Sequence, residues 1–173
     1  NNHVTNLDLV VTMVIFHSRI SKMEKILRLL NPKNTNFDSV GGGSFGALTT
    51  QDVCTAISYA ELSPIQTILF RMSVSHVNDL TDVLEATKMI LLLKKSNQIV
   101  SDDQCHQSAL YIALVELFCC VVGYKASERN RAAIGQVSRM QIQRNLSNLI
   151  NLYKEEMKDQ IEIAEQKIMN QLK

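Results

Sequence analysis

The sequence predicts an all-α fold, a helical bundle of about six helices with a long C-terminal helix that projects or pairs. Three observations lead there. Hydrophobic residues are 46% of the 173 residues but aromatics only 5%, with no Trp, so Leu, Ile, Val and Met must carry the core. That composition suits helix packing better than a β-sandwich, where aromatic and β-branched residues dominate. Apolar residues recur three and four positions apart along most of the chain, and capping sequences, Pro or Gly separate the periodic stretches. The length fits one all-α domain over residues 1–173.

The first helix is expected from Thr5 or Asn6 to Leu30. Its apolar residues Leu9, Met13, Phe16, Ile20, Met23, Leu27 and Leu30 are spaced 4, 3, 4, 3, 4, 3, a heptad stripe that needs a helical neighbour. Asn31-Pro32 ends it, because the residue before proline is pushed out of the helical region. Residues 31–49 read as a flexible Gly-rich loop, and Gly41-Gly42-Gly43-Ser44 has the composition of an engineered linker. Thr50 is the expected cap of a helix reaching Tyr59-Ala60. Ser63-Pro64-Ile65-Gln66 joins a capping box to Pro at the first helical position and predicts a helix from Pro64 to about Val74. The next begins at Asn78 or Thr81, with Lys94 and Lys95 at the negative end of its dipole.

Ser101-Asp102-Asp103-Gln104 is a second capping box and opens a helix to about Val122. Between Ala109 and Val122 only Glu116 is charged, so this helix should be the central one. The run is too short for the ~20 residues that span a bilayer, so no membrane segment is expected. Ser127 caps the last helix, which is expected to continue unbroken from about Glu128 to Lys173, roughly 67 Å at 1.5 Å per residue. Within it Ile142, Leu146, Ile150, Tyr153, Met157, Ile161, Ala164, Ile168 and Leu172 are spaced 4, 4, 3, 4, 4, 3, 4, 4, an eleven-residue repeat. Such a period is close to the relaxed helix and gives a nearly straight seam.

Chemistry is sparsely signalled. Gly41-Gly42-Gly43-Ser44-Phe45-Gly46 satisfies G-x-G-x-x-G, but the polar stretch before it is no buried strand, so no dinucleotide cofactor is expected. Cys105-His106 and Cys119-Cys120 lack metal-ligand spacing, because adjacent helical residues point about 100° apart. The four cysteines, Cys54 among them, read as reduced thiols in an intracellular protein, cytoplasmic or nuclear. Neither an enzyme nor a small-molecule substrate is expected. Glu116 is the exceptional acid; buried, it needs a partner such as Arg71 or a first-helix cation, or else a proton.

Net charge is +1, distributed unevenly: residues 125–153 carry five Lys/Arg against one acid, whereas 34–124 carry four against nine. The sequence favours a protein–protein interaction or assembly subunit, its partner or second copy docking along Ile150, Tyr153, Met157, Ile161, Ala164, Ile168 and Leu172. The alternative is a nucleic-acid-associated helical protein using the basic set Arg129, Arg131, Arg139 and Arg144.

Overall fold

The computed structural model describes residues 26, 30, 48–75, 78–96, 103–121 and 123–172. Most of the first expected helix, the Gly41–Ser44 stretch and the Ser101-Asp102 cap lie outside the described residues; Ile26 and Leu30 are helical. Among the described residues the chain is all α, with six helices in order and no strand: α1 (Thr50–Tyr59), α2 (Pro64–Val74), α3 (Leu80–Ser96), α4 (Asp103–Phe118), α5 (Glu128–Gly135) and α6. The last joins Arg139–Gln141, a π-helical turn Ile142–Leu146 and Ser147–Gln171 into 33 continuous residues. None of these helices is long and apolar enough to cross a membrane.

The caps explain the boundaries. Thr49, one residue before the expected Thr50, accepts from the Asp52 amide while Asp52 Oδ2 accepts from the Thr49 amide. Ser63 and Gln66 close the same reciprocal box at α2, with Pro64 inside its first turn. Asp79 Oδ1 takes the Thr81 and Asp82 amides at the start of α3. Each bond satisfies a helix N–H that has no intrahelical acceptor.

Two compact units result, residues 1–61 with 165–173, and residues 62–164. In the smaller unit Ile26, Val53, Ala56, Ala60 and Ile168 are buried, and Lys167 Nζ donates to the Glu61 carbonyl at 3.0 Å. The larger unit has its core on α4. Ala109, Leu110, Ile112, Ala113 and Leu114 are wholly inaccessible to solvent, surrounded by Leu69 and Met72 of α2, Val83 and Ile90 of α3, and Ile142, Leu146, Ile150, Tyr153 and Met157 of α6.

Along the seam expected to dock a partner, Ile150, Met157, Ala164 and Ile168 are fully buried and Tyr153 nearly so, and Ile161 packs against the core of the larger unit. Leu172 is half-buried and lines a shallow cleft with Leu48, Asp52, Thr55 and Tyr59. The periodicity located a buried face, and the rest of the chain supplies its cover. The last helix does not begin at Glu128. It is interrupted at Gln136–Ser138, and α4 stops at Phe118 rather than Val122.

Candidate nucleic-acid interface

The interruption organises the surface of the larger unit. Ser127 Oγ accepts from the Asn130 amide and starts α5. Eight residues later the chain turns at Gln136, whose φ of 51° and ψ of 37° place it in the left-handed region. The Gln136 and Val137 amides both donate to the Ala132 carbonyl, satisfying the end of α5. Ser138 is extended, and its Oγ accepts from the Gln141 amide to start α6. Gly135 permits this ending close to α4, since a Cβ there would lie 2.6 Å from Ile112 Cδ1.

A glutamine is not the residue this turn favours, because its Cβ crowds the following carbonyl in the left-handed region. Gln136→Gly is therefore expected to stabilise the chain by about 0.5–1 kcal/mol, the relieved strain exceeding the added unfolded-state entropy. A higher urea midpoint at unchanged slope would register it.

The start of α6 is anchored on one side and free on the other. Ile142 and Leu146 are fully buried, in the same core as Ala132 of α5 and Ile112 of α4. Arg139, Met140, Gln143, Arg144 and Asn145 are exposed, Met140 by 57%. No acid occurs on α6 before Glu155. Arg129, on α5, and Lys125, just before it, are exposed as well.

Arg131 is placed differently from the rest of the basic set. It is 6% exposed and directed inward to Glu116 of α4, whose side chain is fully buried. Arg131 Nε donates to Glu116 Oε1 at 2.8 Å and Nη2 to Oε2 at 3.2 Å; Lys154 Nζ and the Tyr124 hydroxyl donate to the same carboxylate at 2.7 and 2.8 Å. Arg131 also donates to Asn151 Oδ1 at 2.7 Å and Ser147 Oγ at 3.3 Å. Neither Arg71 nor a first-helix cation is needed. Burial would raise the Glu116 pKa, but the donors from Arg131, Lys154 and Tyr124 outweigh it and hold the carboxyl below its ordinary value. The network fixes α5 to α4 and α6, and so holds the turn between them.

A second polar cluster lies deeper along α6. Lys94 of α3, 6% exposed, is ion-paired with Glu156 and stands 5.2 Å from the centre of the Tyr153 ring. The Tyr153 hydroxyl is 2.7 Å from His106 Nδ1. Every buried side-chain N or O among the described residues has a partner. None of the four cysteines forms a disulfide; burial first, then the adjacent Cys120, pushes the Cys119 pKa up, and burial followed by Glu116 does so for Cys120. Among the described residues no three His, Cys, Asp or Glu side chains gather to hold a metal.

Compared with protein-family models, curated proteins and solved structures, the chain matches none. Of the basic residues singled out by sequence, Arg139 and Arg144 share the exposed start of α6, Arg129 stands on the preceding helix, and Arg131 belongs to the interior. Gln136 and Gln143 are outside that set. The signal that locates them is local: Ser127-x-x-Asn130 and Ser138-x-x-Gln141 mark two helix starts in close succession, which a single helix would not need.

Proposed function

We propose that this chain binds double-stranded DNA, with α5, the turn at Gln136–Ser138 and the start of α6 acting as a helix–turn–helix. The observation that carries this is the turn itself. It starts a fresh helix whose first two turns are anchored by Ile142 and Leu146 and expose Arg139, Met140, Gln143 and Arg144. In a helix–turn–helix the second helix enters the major groove and its N-terminal residues reach base edges. A helix as long as α6 would enter end-on, using only this segment. Arginine can take guanine O6 and N7, and glutamine adenine N6 and N7, so Arg139, Gln143 and Arg144 have suitable chemistry. Lys125 and Arg129 are suited to phosphate contacts, which position a protein without reading sequence. The deep, narrow major groove of A-form RNA does not admit a helix in this way, which favours DNA.

Docking of a protein along Ile150–Leu172 is the weaker reading, because most of those side chains are already covered. The test is fluorescence anisotropy with a mixed-sequence DNA duplex at ~50 mM salt, where non-specific binding of this kind has a Kd of roughly 1–100 µM or below. Arg139→Glu/Arg144→Glu is expected to weaken binding by at least about tenfold and to flatten its salt dependence. Lys158→Glu, farther along α6 and paired with Glu155, should change it little. Absence of duplex binding in the wild type, or equal loss in Lys158→Glu, would overturn the assignment, as would preference for duplex RNA.

A further inference from the structure

The outer face of α3 takes no part in the DNA site. Three large apolar residues on it are exposed: Leu84 by 40%, Met89 by 43% and Leu92 by 65%. A single exposed leucine needs no explanation, but three within nine residues of one helix form a patch of the kind that marks an interaction surface. Leu84, Lys88 and Leu92 follow one another at i, i+4 and i+8, with Glu85 and Met89 alongside, so these residues share one side of the helix.

The charges select the occupant. Asp79, Asp82 and Glu85 lie at or before the first turns of the helix, Lys88 and Lys95 in its second half, and all are exposed. Glu85 and Lys88 form no ion pair with one another or with any other described residue. A second helix with the same charge order complements this face only when it runs antiparallel, since parallel alignment sets like charges together. In the register that brings Glu85 of one copy opposite Lys88 of the other, Thr81 falls opposite Leu92, while Leu84 and Met89 flank these pairs on the two edges of the contact. Each contact then occurs twice, as a two-fold interface requires.

We propose that two copies of this chain associate through antiparallel packing of their α3 helices, with Glu85 and Lys88 forming reciprocal ion pairs between Leu84, Met89 and Leu92. The pairing does not depend on the DNA assignment. If both hold, the dimer carries two helix–turn–helix units and would match a site with inverted half-sites.

Light scattering of the full chain without DNA tests the pairing directly, with samples up to ~100 µM, high enough to populate a micromolar dimer. The expected result is a two-chain mass that falls to one chain on dilution. Glu85→Lys and Lys88→Glu should each weaken association at least about tenfold by opposing like charges across the axis, and Glu85→Lys/Lys88→Glu together should restore it. Both residues are exposed, so these changes leave the core intact. A wild type that stays one chain throughout, or a dimer indifferent to either single reversal, would overturn the proposal. DNA affinity for a single half-site would not follow the reversals, which separates this result from failure of the DNA reading.

Discussion

Glu116→Gln is expected to destabilise the chain by about 3–5 kcal/mol at neutral pH, measured by urea denaturation, because it leaves Arg131 and Lys154 inside without their counter-charge. Against a typical domain stability of 5–15 kcal/mol this is a large fraction. The Arg131 side chain is only 7% exposed and Lys154 21%, so Arg131 bears most of the penalty while Lys154 can turn partly towards water. Replacing both members of the closest pair, Glu116→Met/Arg131→Met, should recover much of the loss, since apolar side chains of similar volume remove the unpaired charge together with the pair. The pH profile gives an independent readout. The folded-state pKa of Glu116 lies below its ordinary value near 4.5, so its contribution is complete above about pH 5 and declines as pH falls through the depressed value. Glu116→Gln should lack that component of acid destabilisation. A loss below 1 kcal/mol, with an unaltered acid limb, would show that the network contributes little.

The same network shows where sequence reasoning ends. The apolar run singled out Glu116 as the exceptional acid, and its burial makes a partner obligatory. The partner was not predictable, since Arg131 and Lys154 lie 15 and 38 residues away and meet Glu116 only because α5 and α6 fold back onto α4. Capping was more legible because it is local: Ser63-x-x-Gln66 fixed the start of α2 to the residue. The break after α5 is hard to see in the sequence despite a comparable sign at Ser138, since Gln136 is an uncommon occupant of a left-handed turn. The eleven-residue stripe of α6 marks a face that avoids water, and most of its side chains are buried within the chain itself. Periodicity reports that a face avoids water, whereas what covers it depends on contacts distant in sequence. The proposed helix–turn–helix follows the same division: its caps and exposed residue types are visible in the sequence, but the inward turn of Arg131 and outward turn of Arg139 and Arg144 are set by packing.

Alanine substitutions on opposite faces of α6 distinguish an internal seam from a docking surface. Ile150 and Met157 are fully buried in the core of the larger unit, whereas Leu152, between them in sequence, is 62% exposed. Ile150→Ala and Met157→Ala should each cost about 2–5 kcal/mol, combining lost transfer free energy with the cavity left beside α3 and α4. Leu152→Ala should stay within about 0.5 kcal/mol, as exposed positions usually do. Urea denaturation of the isolated chain, repeated at several protein concentrations, is the informative measurement. A seam reserved for another molecule would make all three substitutions nearly neutral in the isolated chain and show its effect only when the partner was present. An internal seam makes the two buried positions costly at every concentration. The contrast between Ile150 and Leu152 then tests whether the feature most prominent in the sequence serves the fold of this chain.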